Sequence, residues 1–249
     1  MTIDKKSPRG RRPFSPKTEG LEGRQLLATT GANVAVVSAS TTDSHSVTVD
    51  YEVSLLGMTV GSMRLHMVLE ADTYRAEVYV QPQGLAATFA PNTINGVTTG
   101  RVVEGRALPD QSWIQQSKPD STRTVQISYA GGTPTAISVD PPYKVSPHAP
   151  AEADWQGTVD PISALVSSLL MPAAAADQAA ACGSSIPVYD GRRRYDFDLW
   201  FGGSRQVTKG AGGYRGEALY CVGTYRRIAG WRPNRIGPRY DTKIHAWYA

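Results

Sequence analysis

The sequence predicts a mainly β protein: a large curved antiparallel sheet, an open or half barrel, with one covering α-helix. Three observations carry that expectation. Apolar residues alternate with a period of two over several stretches. Glycine (24) and proline (17) punctuate them in the manner of short connections between strands. One segment alone shows a capped helical stripe. With 249 residues, 41 % hydrophobic and 19 % charged, the chain has enough material to bury a core.

In chain order the alternation begins at Ser44. "HSVTVDYEVSL" sends Val47, Val49, Tyr51, Val53 and Leu55 to one face of a strand. "MRLHMVLEA" repeats this through Met63, Leu65, Met67 and Leu69, and "TYRAEVYV" through Tyr74, Ala76, Val78 and Val80. Three such runs with short breaks make an antiparallel meander. Residues 97–103, 112–116, 122–129 and 135–139 continue it, with Gly131-Gly132 as a hairpin turn.

Asp160 then caps a helix with Pro161 at its first position. Ile162, Leu165, Val166, Leu169 and Leu170 form its apolar stripe. Pro172 is expected to interrupt the helical segment, which extends over about 160–181. Strands resume at 187–190, 193–201, 207–209, 217–227 and 243–248, giving a single β-rich domain over 44–249.

Residues 1–40 are read as a disordered basic leader or an atypical export signal, outside the fold. Arg11-Arg12-Pro13-Phe14 loosely matches a twin-arginine signal, although the apolar stretch starts only at Leu26. Val37-Ser38-Ala39 suits a small-residue cleavage site, and "LEGRQLLATT" resembles a leader motif of exported proteins. The expectation is therefore a periplasmic or otherwise exported protein, against the alternative of a cytoplasmic one with a basic tail. Residues 1–25 hold seven basic and three acidic groups, the whole of the +4 net charge. The neutral remainder argues against nucleic acid as a partner. No run of 18 apolar residues predicts a transmembrane helix.

Two cysteines, Cys182 and Cys221, lack any zinc-binding spacing. They suit a disulfide if the protein is exported and two buried thiols if it is not. The four histidines have no metal spacing, and no phosphate-loop, dinucleotide or nucleophile-elbow motif is present, so no cofactor is expected.

The stretch "DGRRRYDFDLWF" concentrates charge. Asp190-Gly191 predicts a turn, and a period of two beyond it sends Arg193, Tyr195, Phe197, Leu199 and Phe201 to one face. Arg192, Arg194, Asp196, Asp198 and Trp200 fall on the other, where two arginines beside two aspartates largely cancel. Those arginines would hold both aspartates ionised, which leaves no general acid for a glycosidase pair. Arg193 stands out as the charge on the face that should be apolar.

Several longer motifs together resemble domain-of-unknown-function family 3108, a group of exported β-rich bacterial proteins. They are "YEVSLLGMTVGSMRL", "GLAATFA", "DPISALVSSL", "CGSSIPVYDGRRRYDFDLWF" and "YRGEALYCVGTYRRIAGWRP". The resemblance implies a strongly curved antiparallel sheet working in the periplasm, and it carries over no catalytic residue. The expected function is a non-enzymatic cell-envelope protein that binds a lipid or other apolar ligand inside the sheet. Phe197, Leu199 and Val53 would line that interior and Arg193 would meet an acidic headgroup. The alternatives are a scaffold that holds an envelope protein through an edge strand or the aromatic-basic segment near Trp231, and a glycan or ester hydrolase using His66 and a distant serine.

Overall fold

A computed structural model describes residues 26–28, 37–39, 44–55, 58–174, 177–208 and 215–248. Most of the expected leader lies outside the described residues. Two three-residue pieces of it are described, β1 (Leu26–Ala28) and β2 (Val37–Ala39). The long strands β3 (Ser44–Leu55), β4 (Met58–Glu70), β5 (Thr73–Pro82), β6 (Thr93–Val103), β7 (Arg106–Lys118), β8 (Ser121–Ala130) and β9 (Thr133–Asp140) then follow in order. Each pairs antiparallel with the next, and β2 extends the β3 edge. Short α1 (Leu85–Phe89) interrupts the path between β5 and β6. Gly131 and Gly132 both take positive φ, which is what a tight two-residue hairpin requires.

The strands after the helical segment form a second sheet rather than continuing the first. It contains β10 (Ser184–Tyr189), β11 (Arg194–Val207), β12 (Gly216–Ala229) and β13 (Thr242–Tyr248), antiparallel in that order, with β1 beside β13. Among the described residues neither sheet closes into a barrel. The expected strand 193–201 runs on to Val207, where the next was expected to begin: β11 crosses Gly202-Gly203 by a bulge, with Gly203 at φ +100°, and Lys209 lies outside the described residues.

Between the sheets lies α2 (Pro161–Ala174), which passes the expected break at Pro172. Ile162, Val166 and Leu169, supported by Leu165 and Leu170, pack on the inner side chains of β3 to β5, among them Val47, Val49, Leu65, Met67 and Ala76. The predicted stripe is therefore the face that covers the meander. Ala164 and Met171, on the opposite side, pack with Ile186, Val188 and Tyr195 of the second sheet. The closest approach is at Gly96 of β6, where a Cβ would fall 2.6 Å from Ile162 Cδ1.

Two neighbouring residues fasten the helix to both sheets. The Val159 N–H donates to Pro187 O and the Tyr189 N–H donates to Val159 O, both at 2.9 Å, so the chain entering α2 pairs with β10. Asp160, with no solvent exposure, fastens the same end to the meander. Its Oδ1 accepts from the N–H groups of Ile162 (2.9 Å) and Ser163 (3.2 Å), as an N-cap does, and from Thr98 Oγ1 of β6 at 2.9 Å. Its Oδ2 accepts from Ser163 Oγ, which lies 2.7 Å from the Tyr74 hydroxyl of β5. Thr98 Oγ1 is in turn 3.1 Å from Ser112 Oγ of β7. Burial pushes the Asp160 carboxyl above its usual range, and these donors oppose that shift.

The last tie is covalent. After α3 (Gln178–Cys182), Cys182 forms a disulfide with Cys221 of β12, both fully buried. Closing a loop with a sequence separation of 39 constrains the unfolded chain by about 4 kcal/mol in the loop-entropy account.

Replacing Asp160 by Ala removes the cap and leaves buried hydroxyls without an acceptor. The expected loss is about 3 kcal/mol of unfolding free energy. Urea unfolding of the oxidised protein measures it, and a loss under about 1 kcal/mol would show that the carboxylate does not fasten the helix.

Candidate functional site

Because α2 occupies the space between the sheets, the described cavity lies at the rim. It measures about 220 Å³ and is lined by the ends of β7 and β8, the chain after β9, and the turn before β11. The turn is local chemistry: Asp190 Oδ1 accepts from the N–H groups of Arg192 (2.9 Å) and Arg193 (2.7 Å), and Gly191 takes φ +84°. A Cβ on Gly191 would meet Val125 Cγ1 at 2.5 Å, so the turn is pressed against β8. That contact carries a turn of the second sheet to the rim of the first.

Four cations line the cavity: Lys118, Arg123, Arg192 and Arg193. Arg123 Nε donates to Pro141 O at 2.8 Å, and the Arg123 and Arg192 guanidinium carbons lie 4.5 and 5.0 Å from the Tyr143 ring centre. Arg193 reaches 5.1 Å from the Trp231 ring centre, a cation–π contact. Its Nε is buried with no hydrogen-bond partner among the described residues. None of the four shares a salt bridge among the described residues.

The single carboxylate in the lining is Asp190, whose carboxyl is raised above its usual value. Burial drives that shift and exceeds the opposing effect of the two turn N–H groups and of Arg193 and Arg192. Burial also raises the Tyr143 hydroxyl, aided by Asp190 and opposed by the nearby arginines. Such a cavity attracts a compact anion whose oxygens match guanidinium donors. The grouped histidine, cysteine and carboxylate ligands of a metal centre are absent among the described residues.

The residues singled out from sequence are distributed unevenly. Arg193 lies in the turn, ahead of the first β11 residue, and lines the cavity. Phe197 packs instead between Tyr195 and Tyr225, at ring distances of 5.6 and 5.7 Å. Leu199 is half-buried opposite Gly223. Val53 pairs with Gly61 in β3, and its side chain lies outside what is described. Arg193 lines the cavity, whereas Phe197 and Leu199 do not. His66 Nδ1 lies 3.0 Å from Thr48 Oγ1, a threonine rather than a serine, away from the cavity.

The expected charge ladder needs one correction. Arg194 does pair with Asp196, but Arg192 leaves the strand for the turn. Its place is taken by Arg226 of β12, which binds Asp196 Oδ2 at 2.6 Å and Asp198 Oδ2 at 2.8 Å. The physical reason is register: Asp196 and Arg226 are directly opposite across two strands. Desolvation works to raise the Asp198 carboxyl, yet hydrogen bonds from Arg226 and Ser185 and the arginine charges hold it below its usual value. Lys118, Arg123 and Tyr143 were not anticipated as site residues. Lys118 and Arg123 flank the β7–β8 hairpin and Tyr143 follows β9, and no sequence period links them to the arginine run.

The profile of a family described as "Protein of unknown function (DUF3108)" matches residues 50–242. No curated protein and no solved structure matches.

The raised Asp190 carboxyl gives the cavity a definite pH response. As the pH falls through a value above the ordinary aspartate range, the carboxylate is neutralised and affinity for an anion rises. Sulfate, which does not titrate there, is the probe. Calorimetry between about pH 4 and 7 should show a several-fold gain on acidification. Asp190→Asn keeps the turn acceptor and should bind tightly throughout; an equal pH slope in that variant would remove Asp190 from the account.

Proposed function

We propose, from the premise that the chain belongs to the DUF3108 family of proteins of unknown function, that the rim cavity binds an anionic group of the phosphate or carboxylate kind. The protein acts by binding rather than by catalysis, and it works in an exported, envelope-facing compartment. The observation that carries this reading is the convergence of Lys118, Arg123, Arg192 and Arg193 on one cavity, without an ion-paired carboxylate among the described residues. Unfilled guanidinium donors in a concave site are costly to leave unmatched, and an oxyanion satisfies several at once.

The ligand expected from sequence is thereby moved rather than discarded. An apolar chain inside the sheet would have to share the space with α2. The acidic headgroup that Arg193 was expected to meet fits the cavity that Arg193 lines. The Cys182–Cys221 bond supports an oxidising compartment, since such structural bonds persist outside the reducing cytosol.

Inorganic phosphate tests the binding claim by titration calorimetry. The unaltered protein should bind it. Arg123→Gln and Arg192→Gln should each weaken binding about tenfold or more, the worth of one charge-assisted hydrogen bond. Arg75→Gln, which touches only the exposed Arg75–Glu77 pair on β5, should change nothing. Absence of phosphate binding, or equal loss in all three variants, would sink the reading.

A further inference from the structure

From the cavity, a chain of half-buried cation–π contacts runs outward to Tyr240. Trp231 carries Arg193 and also Arg227, whose guanidinium carbon is 5.4 Å from the same ring centre. Arg227 lies 5.6 Å from the Tyr240 ring centre, and Arg235 and Arg239 lie 5.7 and 4.5 Å from it. Arg235 and Arg239 project from two single-turn 3-10 helices, Pro233–Arg235 and Pro238–Tyr240, and both are exposed. Neither shares a salt bridge among the described residues. Of the nearby acids, Asp190 is engaged by its turn and Asp241 lies beside Arg226, while exposed Asp120 and Asp140 adjoin the cavity lining in sequence.

On the other flank, the chain that supplies Tyr143 to the cavity continues into exposed Lys144 and then Val145. Val145 is fully exposed, at 102 %. A fully exposed valine in a basic setting has no role in packing this chain.

Resting on the anion cavity proposed above, we infer that this face docks on an anionic lipid surface. One headgroup phosphate enters the cavity, Arg235 and Arg239 meet neighbouring headgroups, and Val145 enters the interfacial layer. Charge complementarity requires a partner that presents many anions side by side. The protruding valine selects a lipid surface, because free phosphate and nucleic acid offer no apolar layer to receive it. Tryptophan and tyrosine belts with arginine at headgroup depth are the usual chemistry of such an interface. The contact is peripheral: no described helix is long and apolar enough to cross a membrane.

Vesicle flotation of the full chain tests the inference, with phosphatidylcholine vesicles and mixed phosphatidylcholine–phosphatidylglycerol vesicles compared at low salt. Binding should require phosphatidylglycerol and fall as salt is added. Arg235→Gln with Arg239→Gln should lower the partition about twenty-five-fold, about fivefold for each cation removed near the surface. Val145→Asp should lower it several-fold. Phosphate affinity in the cavity should stay unchanged in both variants, which also shows that they fold. Equal binding to both vesicle types, no binding to either, or undiminished binding of the double arginine variant would overturn the docking. If wild type then still binds inorganic phosphate, the cavity reading survives alone; loss of phosphate binding would overturn the cavity itself.

Discussion

Val159 and Asp160 are adjacent in the chain, yet each binds a different sheet. The backbone of Val159 pairs with β10, while the carboxylate of Asp160 takes hydrogen bonds that lead to β5, β6 and β7. Asp160 has no cation beside it among its partners, so its burial is tolerable only because donors surround both oxygens. That constraint fixes where α2 begins, and α2 fixes how the sheets face each other. A helix buried on both sides leaves little room between them for a ligand. The described cavity is accordingly at the rim, where the Asp190–Arg193 turn rests on β8.

The charges follow from the same arrangement. Three consecutive arginines have three different fates. Arg194 joins Asp196 within its strand, Arg192 lies over Tyr143, and Arg193 lies over Trp231. Arg226 arrives from the next strand and occupies both aspartates. With the acids engaged there, Arg192 and Arg193 are left facing the cavity with Lys118 and Arg123. A net charge near zero over the body conceals this separation, because a local field depends on which charges are paired.

Much of this architecture can be read from local sequence. The period of two in "HSVTVDYEVSL", "MRLHMVLEA" and "TYRAEVYV" gives β3, β4 and β5, with Val47, Val49, Tyr51, Leu65, Met67, Tyr74, Ala76 and Val78 buried as expected; the side chains of Val53 and Leu55 lie outside what is described. Asp160-Pro161 announces the helix cap, and Asp190-Gly191 announces the turn. The division into two sheets is not legible, since it depends on which distant strands pair after α2. The break expected between strands 193–201 and 207–209 is a bulge at Gly202-Gly203, because β12 continues to pair beyond it. The cavity is hidden for a related reason: the β7–β8 hairpin with Lys118 and Arg123, the chain after β9 with Tyr143, and the turn with Arg192 are far apart in sequence and meet only once both sheets are in place. Arg193 was visible because a cation on the expected apolar side breaks the pattern.

Anion binding by the cations at the rim is reported, residue by residue, by the side-chain Nε–Hε resonances of arginine. In a titration with inorganic phosphate, saturable shifts are expected at Arg193, whose Nε lacks a partner among the described residues, and at Arg123 and Arg192. Arg75, in its exposed pair with Glu77, and Arg226, held by Asp196 and Asp198, should stay in place. Uniform, unsaturable shifts across all arginines, or an unmoved Arg193 signal, would contradict anion binding at the rim.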